Sequence, residues 1–265
     1  MKPISLAEKA VIKKDFHEVW DSKMARETLL IVPIILAVFV PAIFLIIIMN
    51  VPTSQVNGID TIMKMLPKEM SYLDIKQSSF YMMTNLMFPM FFLMIPLMTS
   101  SVAAACSFVG EKERHTLETL ILTPMSLPKI FRAKVASCIL LSAIVTSIAF
   151  IAFSIVVSIG DIMLGLPFFL DWNWLVCILL FAPAVTVFGV VFIVLVSAKS
   201  KSYIEAIQTS GYIIVPLVLL FIGQLMGLFI LNAVMLLLIS LGVIVIDIVI
   251  MLLTSRSFQT EKLLN

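Results

Sequence analysis

"GEKERHTLETLILTPMS" (residues 110–126) sets five charged side chains, Glu111, Lys112, Glu113, Arg114 and Glu118, between two apolar runs at roughly 81–108 and 135–159. Each run exceeds the about 20 apolar residues that a helix needs to cross a bilayer. The segment therefore reads as a polar connection between two membrane spans. The composition agrees. The chain has 265 residues, 61% hydrophobic and 13% charged, with a mean hydropathy of +1.14. A soluble domain carries about 25% charged residues, so this chain has too few charges to cover a water-facing surface. A net charge of +2 gives no pull toward nucleic acid.

Working outward from the segment, the apolar runs predict six spanning helices, roughly 29–49, 81–108, 135–159, 174–197, 207–231 and 233–254. The last two are separated only by a turn region around Gly223, Gln224, Gly227 and Asn232, and the fifth could end near Ile222 before a short re-entrant piece. The run 29–49 is too long for a signal-peptide core of 7–15 residues and is expected to stay as an anchor. Segments 1–28, 109–134, 198–206 and 255–265 carry fifteen of the 18 Lys and Arg. By the positive-inside rule these segments, and both termini, are expected in the cytoplasm. The organisation is then a cytoplasmic interfacial helix in 1–28, a six-helix transmembrane domain at 29–254 with a cytoplasmic loop at 109–134, and a tail at 255–265. Ile12, Phe16, Val19, Trp20 and Lys23 have helical spacing, with Lys13, Lys14, Asp15, Glu18 and Asp21 filling much of the rest. This predicts an amphipathic helix on the inner interface with Trp20 at headgroup depth. Trp172 and Trp174 suit the outer interface. Cys106, Cys138 and Cys177 lie in apolar runs without metal-ligand spacing and read as small buried hydrophobes.

Within the opening segment a short helix can run from about Thr116. Thr123-Pro124 stops it, because proline lacks an amide proton and disfavours α geometry in the residue before it. Such a helix could dock into a groove on a soluble partner, with Leu117, Leu120 and Ile121 filling the groove and the charges fixing register. A solvated loop that only obeys the charge rule is the alternative.

The run "GEKERHTLETLILTPMSLPKIFRAKV" (110–135) resembles the signature of the ABC-2 type permeases, the membrane subunits of ATP-driven exporters. Gly110, Glu111, Lys112, Glu113, Arg114, Thr116, Leu117, Glu118, Leu120, Thr123, Pro124 and Lys134 match the family pattern; His115 stands where glycine is usual. "SKSYIEAIQ" (200–208) and the N-terminal "DFHEVWDSKMARETLLIVPIIL" are weaker matches. The resemblance implies an all-α, type V exporter-like fold with six transmembrane helices. It also implies that the loop forms a coupling helix against a separate ATPase subunit, with Glu111, Lys112, Glu113, Arg114, Thr116, Leu117, Glu118 and Leu120 as the coupling residues. No Gly-Lys dipeptide occurs in the chain, so a Walker phosphate cradle cannot be built. The chain is expected not to be an enzyme and to bind no cofactor or metal itself. ATP and Mg belong on two copies of the partner ATPase, and a second permease, identical or different, completes the path across a bacterial plasma membrane.

Three further features invite a function. Met83, Met87, Met90, Met94 and Met98 share one face of the second span, which suits ordinary packing or an adaptable surface for cargo or a dimer partner. Asp247 is the one acid well inside a span, where a charge is costly; a structural hydrogen bond and an ion or proton path are the two readings. "GQLMG" (223–227) is a small-xxx-small pattern that suits close helix packing. The expected cargo is hydrophobic or amphipathic: a peptide, drug or lipid-like molecule. The alternatives are a sodium-exporting permease and a secondary carrier driven by an ion gradient. The carrier would need more polar groups at mid-membrane. An intramembrane enzyme would need paired catalytic groups at depth, and neither histidine lies in a span.

Overall fold

The computed structural model describes residues 6–50, 73–114, 116, 126–197, 200, 202–226, 228 and 231–257. They form helices α1 (Leu6–Asp21), α2 (Lys23–Asn50), α3 (Ile75–Glu113), α4 (Leu127–Leu164), α5 (Trp172–Ser197), α6 (Tyr203–Leu225) and α7 (Ala233–Ser257). Six helices, α2 to α7, are long and apolar enough to cross a membrane. All six match expected spans, and most run further because a helix continues past the hydrocarbon edge wherever its backbone bonds can be kept. The fifth expected span ends at Leu225 rather than near Ile222, and Gly223 and Gln224 belong to the helix.

Sequence chemistry sets the boundaries. Ser22 has extended backbone geometry and its hydroxyl accepts from the Ala25 N–H at 3.5 Å, starting α2. Ser202 likewise accepts from Glu205 N–H at 3.2 Å at the start of α6. Gly165 ends α4 in the left-handed region (φ 66), and the Leu166 N–H reaches back to the Asp161 carbonyl at 2.8 Å. That is the glycine stop in which a residue without Cβ takes the turn at no steric cost.

The bundle is built around α3. Of its most apolar window 83% is buried inside the chain, against 28% for α2 and α4 and 17% for α7. At the α3–α5 crossing the two helices approach closely. A Cβ added at Gly189 would lie 2.2 Å from Ser100 Oγ and 3.2 Å from the Leu97 carbonyl oxygen. Trp174 is fully buried against Phe92, Phe153 and Phe169. It therefore does not serve as an interface anchor, whereas Trp172, two residues away and on another face of the helix, is exposed.

Three spans contain wide π turns at Ile35–Phe39, Met83–Met87, Ala105–Gly110 and Cys177–Phe181. The first, second and fourth each end two residues before a proline: Pro41, Pro89 and Pro183. A proline ring crowds the carbonyl four residues back and offers it no N–H, and widening the preceding turn relieves both problems. The carbonyls around the second π turn find donors on other helices. Thr84 O accepts from Trp174 Nε1 at 3.1 Å, Asn85 O from Asn173 Nδ2 at 3.4 Å, Leu86 O from Gln224 Nε2 at 2.8 Å and Pro89 O from the Cys177 thiol at 3.5 Å. In lipid no water could fill this role, so these bonds also fix the place of α5 and α6 on α3. Ala105–Gly110 has no proline behind it.

The α3–α5 crossing predicts that Gly189→Ala overpacks and lowers stability by about 1–3 kcal/mol. Adding Ser100→Ala, which removes the nearest clashing atom, should restore part of the loss in a thermal-melt comparison of the purified variants.

Candidate functional site: an ion-pair hub at the basic end of the bundle

The end of α3, the starts of α4 and α6, the end of α5 and the whole of α1 meet at one end of the bundle, where the basic residues concentrate. Helix α1 packs there through Val11, Asp15 and Val19, with Glu8 on the same stripe. Ile12 and Phe16 are only half-buried and Trp20 is exposed. The apolar stripe expected from sequence is thus turned so that an acid lies at its centre. Asp15 can sit there because its partners come from elsewhere in the chain.

Those partners surround Lys134 of α4. The ammonium of Lys134 lies 3.4 Å from Asp15 Oδ1 and 2.9 Å from Glu111 Oε2. It donates to the Ser107 carbonyl at 2.9 Å and to Ser107 Oγ at 3.1 Å. The Ser107 hydroxyl donates to Asp15 Oδ2 at 2.8 Å. The Phe108 ring lies under the ammonium, 5.6 Å from its centroid, a favourable cation–π distance. Relative exposures of Lys134, Asp15 and Glu111 are 2%, 1% and 0%. The other Glu111 oxygen is bonded by Lys14, which is 44% exposed at its side chain and also lies 3.7 Å from Glu18. Burial pushes the Asp15 carboxyl above its ordinary pKa, against the pull of Lys134 and Ser107. For Lys14 burial acts downward, but the hydrogen bond and charge of Glu111 outweigh it and the pKa is raised.

The four charged residues that close α3 each tie a different partner. Glu111 holds Lys134 and Lys14. Lys112 donates to the Ser197 and Ser200 carbonyls, both at 3.2 Å, at the end of α5. Glu113 accepts from the Tyr203 N–H at 2.8 Å, at the start of α6. Arg114 donates to Glu18 of α1 at 3.1 Å. A cation at a helix C-terminus and an anion at an N-terminus are the pairings the helix dipole favours. Arg132 of α4 adds a contact of 3.5 Å to Glu8.

Asp15, Glu18 and Glu111 bring carboxylate oxygens within 4.8 Å of one another. Lys134, Lys14 and Arg114 already neutralise these oxygens, so a metal would have to displace side-chain cations.

Of the residues expected to form the coupling element, Glu111, Lys112, Glu113 and Arg114 are gathered here, and they bond within the chain. Glu111 is fully buried, so its carboxylate faces no partner. The Thr116 hydroxyl donates to the Glu111 carbonyl at 3.4 Å; Leu117, Glu118 and Leu120 lie outside the described residues. The sequence marks none of Asp15, Lys14 and Ser107 as a hub member, and places Lys134 only as a match to the family pattern. The available signal was a lysine seven residues past the start of α4 and an acid spaced by four from Val11 and Val19. In α3, Met90 is buried beside Leu93 and Phe181, Met87 is also buried, and Met83 and Met94 are half-buried. Asp247 is buried with neither oxygen hydrogen-bonded among the described residues, so a partner for the structural hydrogen bond is not found there.

The six spans and the ion-pair hub at their basic end define a multi-pass helical membrane protein. A family model described as ABC-2 type transporter matches residues 7–223. The chain belongs to the ABC-2 type transporter family, as a membrane permease subunit that works with an ABC ATPase. No curated protein and no solved structure matches it significantly.

The hub predicts unequal costs. Lys134→Met leaves two buried carboxylates short of a partner and should cost about 3–5 kcal/mol. Lys14→Met removes one of the two cations on Glu111 but leaves Lys134 in place, and should cost less, about 1–3 kcal/mol. Unfolding of the two purified variants by denaturant, followed by helicity, measures the difference.

Proposed function

We propose that the chain is the path-forming permease of an exporter, paired with a second permease and driven by two ATPase subunits that bind the segment after Arg114. The single observation that carries this reading is the run Glu111–Arg114. Its four side chains tie the start of that segment to α1, α4, α5 and α6. A force applied to the segment therefore acts on most of the basic end at once. Separating a buried charge from its partner costs about 3–5 kcal/mol, so the hub moves as one body. Beside it a polar recess of about 380 Å³, lined by Lys14, His17, Glu18 and Arg114 among others, opens next to Thr116; a partner's side chains could engage there.

In this reading the basic end faces the cytoplasm. ATP draws the two ATPases together, the hub carries that motion to the spans, and the path between the permeases opens outward. A change of state requires a ligand that binds the two states differently, and ATP on the partner is that ligand. ATP and Mg are held by the ATPase. The cargo class that suits so apolar a chain is a hydrophobic or amphipathic molecule.

Two measurements test this. Leu117→Asp should abolish copurification of the ATPase, because it puts an unpaired charge where an apolar groove is expected, while leaving the permease folded. Retention of the ATPase at wild-type level would remove the docking role. For orientation, a cysteine near Asn57 should react with an impermeant maleimide from outside the cell and one at Ser126 should not; the reverse pattern would invert the model.

A further inference from the structure

Between α2 and α4, below α1, runs a groove with a volume of about 170 Å³ and a wholly apolar lining. Its walls are Leu30, Ile34 and Val38 on one side and Ile144, Ile148 and Ala152 on the other. Both walls belong to membrane spans, so the groove opens to lipid. From Leu30 to Val38 the helical rise covers about 12 Å, close to the depth of one leaflet of a hydrocarbon core roughly 30 Å thick. An apolar cavity of about 150 Å³ stays dry and takes a benzene-sized hydrocarbon; this one is slightly larger.

The mouth of the groove is at the basic end, with Arg26 one helical turn before the lining residue Leu30. Phe16 and Trp20 of α1 form the rim, their rings stacked at 6.2 Å. Trp20 is 41% exposed. The Arg26 guanidinium donates to the Trp20 carbonyl at 3.5 Å, and among the described residues no carboxylate pairs with it. A hydrocarbon slot one leaflet deep, with an interfacial tryptophan and an arginine lacking an acidic partner at its mouth, matches an amphiphile with an anionic head. The planar arginine fork suits a phosphate.

We propose that this groove is a phospholipid site, with one acyl chain between α2 and α4 and the phosphate on Arg26. The lipid comes from the leaflet at the basic end. Its chain lies against Phe16 and Trp20, and so supports the helix that carries Asp15 into the hub. The site does not depend on which cargo is moved or on the ATPase.

The test uses the purified chain in nanodiscs that contain phosphatidylglycerol with a photoreactive diazirine on one acyl chain, and a parallel set with diazirine-labelled palmitate. After irradiation, adducts are mapped by peptide mass spectrometry. Labelling should concentrate on residues 30–38 and 144–152. Ala152→Phe, which fills the groove, should lower it roughly tenfold, the effect of about 1.4 kcal/mol. Arg26→Ala should lower it for phosphatidylglycerol by a similar factor. Ile151→Phe, on the exposed face of the same helix, should leave it unchanged. If Ala152→Phe is not monodisperse, Ile34→Trp fills the groove from the opposite wall. Adducts spread along the exposed face at Ile151, Ile155 and Ile159, insensitive to the filling variants, would overturn the site. Palmitate labelling that equals the phospholipid's, or an Arg26→Ala variant that labels like wild type, would overturn the phosphate assignment and with it the proposal.

Discussion

Glu111 and Lys134 form the contact on which the basic end of this protein depends. Each alone would be untenable where it sits, because a charge removed from water costs several kcal/mol unless it is paired and bonded. Together with Asp15 and the Ser107 hydroxyl they form a set in which each charge answers another. The set links the N-terminal helix, α1, to two of the spans, α3 and α4. Many hydrophobic packings would hold two apolar helices side by side. A buried charge restricts the register further, since one residue of slip would leave it without a partner.

At the other end of α3 the same problem is solved with neutral groups. Proline-widened turns leave carbonyls without helical donors, and Trp174, Asn173 and Gln224 supply them from α5 and α6, while the Cys177 thiol adds a second bond to the Pro89 carbonyl. The central helix is thus held by hydrogen bonds at one end and ion pairs at the other, with close apolar packing at Gly189 and Ser100 between. This division follows the solvent. Neutral donors serve where both faces are in hydrocarbon, and full charges appear where the helix reaches the membrane edge and neighbouring charges can surround them.

The spans were legible in the sequence because hydropathy over some twenty residues is a strong, local signal. So was the identity of the polar segment. The hub itself was not. Asp15 and Lys134 are 119 positions apart, and nothing near Asp15 marks it as an inward-facing acid rather than one more charge on a solvated face. Trp174 illustrates a related limit. Its composition and place near a span end suggested an interface anchor, yet the Thr84 carbonyl freed by a wide turn on another helix draws it inward. Pairings of this kind belong to the tertiary structure, and a single sequence carries the two halves without the link between them.

The wide turn at Ala105–Gly110 differs from the others in one chemical respect. Where a proline stands two residues on, the turn cannot tighten to regular α geometry without restoring the clash that opened it. Residues 105–111 contain no proline, so every amide proton needed for a regular turn is present. A π turn holds one residue more than the α turn it replaces, and each residue of an α-helix advances it about 1.5 Å at 3.6 residues per turn. Exchange of the extra residue into or out of this turn is therefore a small screw of about 100°, and Glu111 is the first side chain beyond it. Of the wide turns in the described residues, this is the one whose own sequence would allow a regular α turn, so it is the buried Glu111–Lys134 pair just beyond it, not a proline, that fixes the rotation of the charged end of α3 against its apolar length.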